Sequence, residues 1–190
     1  MINFENDIKR CLDTLQNGGL ILYPTDTIWG IGCDATNEEA VERIFTLKKR
    51  PGEKSMIILV ASEKEVLHYV ASPDLPIFDY LDKTIKPTTV IYDNAVGIAK
   101  NIISKDGSVG IRICKDEFCN HLIRRFRKPI VSTSANISGN SAPALFAGIG
   151  EEIKKGVDYI VKYRRDDTAV AAPSSVIKWN KDGSVTVLRP

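Results

Sequence analysis

The sequence predicts an α/β fold: a twisted mixed β-sheet with helices packed on it. Three observations lead there. Apolar residues recur first at helical spacing and then in short continuous runs, and the two patterns alternate along the chain. The chain closes on two strand-like segments around a turn tetrad, which adds antiparallel strands to the alternating pattern. Finally, 190 residues, 43% hydrophobic and 26% charged, suffice for one α/β domain to bury a core and are few for two. Residues 1–190 are therefore expected to form one domain. No segment is long or apolar enough to cross a bilayer, and the composition excludes a disordered chain.

The elements follow in order. Phe4, Ile8, Leu12 and Leu15 recur at helical spacing and stop at Gly18-Gly19, a natural helix end. Leu20-Ile21-Leu22-Tyr23 reads as a buried strand ended by Pro24, with the polar turn Thr25-Asp26-Thr27 after it. Gly30-Ile31-Gly32 reads as a two-glycine turn. Asn37 can cap a second helix, with Glu38 and Glu39 in its first turn, Lys48, Lys49 and Arg50 at its last, and Pro51-Gly52 closing it. A strand over 56–60 precedes the capping box Ser62-x-x-Glu65, which opens a helix toward Val70. Further strands are expected over 88–92, 109–113, 130–132 and 159–161, and helices over 116–126 and 147–155. Segment 93–107 has weak periodicity and reads as a loop with room for a short helix. Strands over 175–179 and 184–188 flank Asn180-Lys181-Asp182-Gly183, a hairpin.

A net charge of +2 does not by itself announce a nucleic-acid protein. The local clusters are Lys48-Lys49-Arg50, Arg124-Arg125-x-Arg127-Lys128 and Lys162-x-Arg164-Arg165. Basic residues ending a helix usually complement its dipole or form a solvated face. The first residues lack a basic region followed by an apolar stretch, so a cytoplasmic location is expected. The scattered cysteines Cys11, Cys33, Cys114 and Cys119 suggest buried reduced thiols. Cys114-x4-Cys119-x-His121 lacks a second ligand pair at zinc spacing, so core packing is the expectation for the thiols and a solvated helix face for His121.

Polar groups cluster just past strand ends, where open α/β sheets place ligands: Thr25, Asp26 and Thr27; Arg112; and the run from Ser132 to Gly139. Ser134 and Asn136 offer directional donors and acceptors with little titratable chemistry, which suits positioning. Lys48-x-Arg50 combines a point charge with a planar fork and can hold phosphates. His68 and His121 have no carboxylate orienter nearby in sequence, and no nucleophilic triad stands out. Neither a phosphate loop of the G-x-x-x-x-G-K-[ST] type nor a G-x-G-x-x-G fingerprint occurs, so a nucleotide needs another cradle.

Together these residues resemble the YrdC-like family of threonylcarbamoyl-AMP synthases over nearly the whole chain. Residues 22–35, Leu-Tyr-Pro-Thr-Asp-Thr-Ile-Trp-Gly-Ile-Gly-Cys-Asp-Ala, are similar to the family's opening signature. Lys48-Lys49-Arg50-Pro51 is similar to its Lys-x-Arg motif, and Ser132 to Gly139 to its Ser-Ala-Asn-x-Ser-Gly motif. Val109 to Ile113 resembles its arginine-bearing strand, residues 173–177 its late Pro-Ser-Thr-Val-Val element, and Val187-Leu188-Arg189-Pro190 a shortened form of its ending. The chain departs from the family at 54–56, 84–89 and 162–165.

The resemblance implies a short single-domain form folded around a large open cavity. It implies synthesis of L-threonylcarbamoyl-AMP from L-threonine, bicarbonate and ATP with release of pyrophosphate, serving modification of tRNA next to the anticodon. It assigns Lys48, Arg50, Lys54, Thr89, Asn136 and Arg189 to ATP, with Lys48 and Arg50 also stabilising charge. Arg112 is expected to grip the threonine carboxylate, and Thr27, Ser134 and Ser174 to read the amine and side-chain hydroxyl. Magnesium is expected to ride on ATP without protein ligands. Expected partners are a threonylcarbamoyl-transfer protein and weakly bound tRNA or double-stranded RNA. Two alternatives are a non-enzymatic RNA-binding or ribosome-associated module, and a paralogous carbamoyl-transfer enzyme with another acceptor.

Overall fold

The computed structural model describes residues 4–50, 56–180 and 182–190. Helix α1 (Glu5–Gln16) buries Ile8, Cys11 and Leu15 on one face, and the chain then turns at Gly18 with φ +70°. The apolar run that follows forms β1 (Ile21–Tyr23), buried throughout. Gly30-Ile31-Gly32, expected as a turn, is instead a strand, β2. The glycines are needed for close approach: a Cβ on Gly32 would lie 2.7 Å from both the Tyr23 ring and the Val131 carbonyl oxygen.

Helix α2 (Glu38–Leu47) is capped by the Asn37 side chain, which accepts from the Ala40 N–H at 3.0 Å. The basic run lies just past the helix rather than in its last turn. Strand β3 (Ile57–Val60) and helix α3 (Glu63–Tyr69) follow. The expected capping box is altered: the Ser62 hydroxyl makes no cap bond, and Glu65 accepts from the Ala61 N–H at 2.7 Å. A helix that the sequence reading missed, α4 (Pro76–Lys83), starts on proline. Strands β4 (Thr88–Tyr92), β5 (Val109–Ile113) and β6 (Ile130–Ser134) alternate with α5 (Glu117–Phe126). Then come α6 (Glu151–Gly156), the short strand β7 (Tyr159–Ile160), and the closing hairpin of β8 (Ser175–Trp179) and β9 (Val185–Arg189).

These strands form one mixed sheet in the order β7-β1-β2-β6-β3-β5-β4-β8-β9. β1/β7, β3/β5 and β4/β8 are parallel and the remaining neighbours antiparallel. Alternation along the strands divides the two faces. In β5, Val109, Ile111 and Ile113 share one face, and Gly110 and Arg112 the other. Pairing of Leu59 with Arg112, Thr89 with Val176 and Val176 with Arg189 carries the second face across the sheet. Val90 opposite Ile111 sets Thr89 next to Arg112 in the same row. Polar residues on one face of the sheet are therefore aligned by register.

The core includes Cys11, Cys33, Cys114 and Cys119, all buried and free of disulfides. Cys114 and Cys119 sit at the end of β5 and in α5, while His121 packs edge-on against Phe4. Among the described residues no cluster of three or more potential metal ligands occurs, and no helix is long and apolar enough to cross a membrane. Segment 93–107 contains a 3-10 turn, Lys100–Ile102, and buries Ile98, Ala99 and Ile102. It is tied to the start of α2: the Ala99 N–H donates to the Ala35 carbonyl at 2.9 Å and the Asn101 amide to the Glu38 carbonyl at 3.0 Å.

Because backbone stands against Gly32, Gly32→Ala should lower stability by about 1–3 kcal/mol. The expected readout is a fall of several degrees in Tm; an unchanged Tm would contradict this packing.

Candidate active site

A cavity of about 250 Å³ opens on the polar face of the sheet. Arg112 reaches it from β5, Ser132, Thr133 and Ser134 from β6, Ser174 from the residue before β8, and Arg189 from the end of β9. Thr27, Trp29 and Gly30 complete one wall, with Arg50, Met56 and Pro173 on others. Of the residues assigned from sequence, Thr27, Arg50, Arg112, Ser134, Ser174 and Arg189 thus share one cavity. Lys54 lies outside the described residues.

Lys48, Thr89 and Asn136 do not line this cavity; they lie in its supporting wall. Lys48 is 1% exposed. Its ammonium donates to the Ser134 carbonyl and, at 2.6 Å, to the Asn136 carbonyl, while its own carbonyl accepts the Ser138 N–H at 2.8 Å. The cause is how α2 ends. Lys49 adopts a left-handed φ of 49°, the Arg50 N–H returns to the Phe45 carbonyl and the Lys49 N–H to the Thr46 carbonyl. This double closure reverses the chain after the helix, with Lys48 buried and Arg50 at the cavity.

The loop after β6 is held equally tightly. Asn136 donates its side-chain amide to the carbonyls of Ile137 and Asn140, at 3.0 and 2.7 Å. Its carbonyl Oδ1 and the Ser138 hydroxyl are buried with no hydrogen-bond partner among the described residues. Thr89 is fully buried, its hydroxyl 2.9 Å from that of Ser174. Arg189 then spans Ser174, donating to its carbonyl at 3.0 Å and its hydroxyl at 3.2 Å.

The hydroxyls at the end of β1 have a defined polarity. Thr25 Oγ1 has one proton, which goes to the Ile28 carbonyl at 2.8 Å. It also lies 2.9 Å from Thr27 Oγ1, so Thr27 must be the donor of that bond. Thr27 therefore presents only acceptor lone pairs to the cavity.

The electrostatics favour an anion. Burial, then Arg50, pushes Lys48 down to about 8. Burial lowers Arg50, and burial followed by the nearby Arg112 lowers Arg189. Behind Arg112 lies Asp26, whose Oδ1 is 3.0 Å from the guanidinium, the two side chains being 13% and 3% exposed. Burial raises Asp26 even against the opposing pull of Arg112. The remaining basic clusters are engaged elsewhere: Arg125 with Glu5, Lys128 with Asp34, and Arg164 with Asp116 and Asp167.

Asp26 was visible in sequence as a strand-end polar residue, but its partner was not. Trp29, just before β2, and Val176, in register with Thr89, also line the cavity, and neither placement is visible without the strand pairing.

The chain as a whole is similar to several known proteins. The threonylcarbamoyl-AMP synthase of Saccharophagus degradans is 34% identical over 136 residues, covering 71% of each chain. That of Vibrio campbellii is 29% identical over 189 residues, covering 97% of this chain and 98% of its own. The crystal structure of P. abyssi Sua5 complexed with L-threonine has a TM-score of 0.86 at 25% identity, covering 98% of this chain and 54% of that one. The chain thus spans little more than half of that protein. E. coli YciO shares the fold, with a TM-score of 0.82 at 21% identity over 97% of this chain and 88% of that one. The Sua5/YciO/YrdC family model, described as "Telomere recombination", matches residues 13–190, and the chain belongs to that family.

Proposed function

We propose that the cavity makes L-threonylcarbamoyl-AMP from L-threonine, bicarbonate and ATP. The observation that carries this reading is the convergence of Arg50, Arg112 and Arg189 with the hydroxyls of Thr27, Ser134 and Ser174 on one cavity. None of the described lining residues is a carboxylate, imidazole, thiol or amine. Such a lining suits a reaction run by positioning and charge stabilisation rather than through a covalent enzyme intermediate. The relatives named as threonylcarbamoyl-AMP synthases and the threonine-bound Sua5 support the substrate assignment.

In this reading Arg112 holds the threonine carboxylate, and the acceptor-only Thr27 receives an N–H of the amine. Bicarbonate yields carbon dioxide and hydroxide, the amine forms an N–C bond to that carbon while its proton combines with the hydroxide as water, and a carbamate oxygen then attacks the α-phosphorus. The bond from that phosphorus to the β-phosphate oxygen breaks, and pyrophosphate leaves. Arg50 and Arg189 neutralise the phosphates. Lys48, Thr89 and Asn136 act from beneath, Lys48 adding charge while it fixes the loop after β6. Lys54 is assigned to the phosphates by the family resemblance alone. Magnesium would enter with ATP and neutralise phosphate charge, and the guanidinium and hydroxyl donors of the lining would hold the phosphate oxygens. The product passes to a threonylcarbamoyl-transfer protein for tRNA modification.

Three outcomes check this. Pyrophosphate release by the purified chain should require threonine, bicarbonate, ATP and magnesium together; ATP hydrolysis indifferent to threonine would contradict it. Arg112→Ala should raise KM for threonine, and Arg50→Ala KM for ATP, each by about ten- to a hundredfold, whereas equal changes in both constants would refute the division. Lys48 is charged below about 8 and neutral above it. Affinity for an ATP analogue, read by calorimetry, should therefore fall as pH rises from 7 to 9.5, by up to about tenfold per unit. Lys48→Met should remove that dependence.

A further inference from the structure

We propose that Asp26 is a positioning residue that makes the Arg112 end of the cavity select a singly charged carboxylate over phosphate. This rests on the functional reading above and adds a determinant of which anion goes where.

The geometry isolates the pair. The Arg112 terminal nitrogen lies 3.0 Å from Asp26 Oδ1, and both side chains are largely buried. The nearest other carboxylate on this side, Asp116, is already engaged: it accepts from Arg164 at 2.9 Å and from the Cys119 N–H at 3.0 Å. Asp26 is thus the counter-ion of Arg112. The contact is ionic, since Asp26 Oδ1 makes no hydrogen bond among the described residues. The Arg112 Nε is buried without a hydrogen-bond partner among the described residues, and the residue lines the cavity. That nitrogen is a donor held ready for a ligand oxygen.

The charge balance separates the two ends of the site. Arg189 rests on the neutral Ser174, through its carbonyl and hydroxyl. It keeps its full charge for polyphosphate. Arg112 is compensated by Asp26, so the pair as a whole is neutral. A carboxylate with one charge can take its hydrogen bonds; a phosphate, carrying up to two, meets the buried carboxylate behind the guanidinium and is repelled. Asp26 faces neither substrate directly. Its far side borders a second cavity of about 330 Å³, together with Thr88, Ile113 and Asp116, so the carboxylate stands in the wall between two spaces. Asparagine keeps that wall closed and removes only the charge, which makes it the informative substitution.

The test compares wild type, Asp26→Asn and Asp26→Glu in threonine-dependent pyrophosphate release, and in calorimetric binding of threonine and of inorganic phosphate. Asp26→Asn should raise KM for threonine roughly ten- to a hundredfold. Its kcat and its KM for ATP should stay within about threefold, and inorganic phosphate should become an inhibitor competitive with threonine. Asp26→Glu, which keeps the charge on a longer arm, should still reject phosphate while losing part of the threonine affinity, and it carries the test should the amide variant not fold. Equal changes in both KM values, a loss of kcat alone, or phosphate binding identical to wild type would overturn the inference. Absence of threonine-dependent release in the wild type would instead sink the functional reading; the binding arm would still judge Asp26, by whether phosphate affinity rises on loss of its charge.

Discussion

The site depends on one buried ammonium. Lys48 gives up water to hold the carbonyls of Ser134 and Asn136, and its own carbonyl takes the Ser138 N–H. Removing a lysine head from water costs several kcal/mol unless its donors are satisfied, and charge-assisted bonds to carbonyls offset that cost. The consequence is geometric. The end of α2 and the loop after β6 become one unit, so Arg50 and the Ser134 hydroxyl reach the cavity from two elements distant in sequence but fixed to each other.

The sheet supplies the other half. Its register places Arg112, Thr89, Val176 and Arg189 in one row, so cation and hydroxyl positions follow from strand pairing. The hydroxyls of Thr89 and Ser174 link the two inner strands of that row, and Arg189 closes it from the edge strand. Three guanidinium groups around one small cavity repel one another, which stores a preference for anionic ligands in the folded chain. Asp26 relieves this at Arg112, whereas Arg189 rests on the neutral Ser174, so the two ends of the cavity differ in charge.

Much of this was legible in the sequence, for physical reasons that can be named. Apolar runs long enough to be buried marked β1, β3, β4 and β5, and the strong amphipathic pattern of α5 marked that helix. The short Gly30-Ile31-Gly32 misled because glycine signals turns by its freedom of φ, while here it serves close packing against Tyr23 and the Val131 carbonyl. Helix α4 escapes the pattern because Pro73 before it and Pro76 at its start punctuate the segment, although Pro76 suits a first helical turn. The cationic and hydroxyl residues of the site carried recognisable motifs. What spacing could not show was which of them face the cavity: Lys48 and Arg50 are two residues apart, yet the left-handed Lys49 sends one into the wall and leaves the other on the surface of the site. Nor could it show that Asp26 and Arg112, 86 positions apart by number, form a pair.

The most direct measurement is a crystal structure of the chain with L-threonine and a non-hydrolysable ATP analogue. The account predicts the threonine carboxylate on Arg112 with Asp26 still behind it, and the phosphates on Arg50 and Arg189. Phosphates seated on Arg112, or threonine bound away from it, would contradict the division of the cavity.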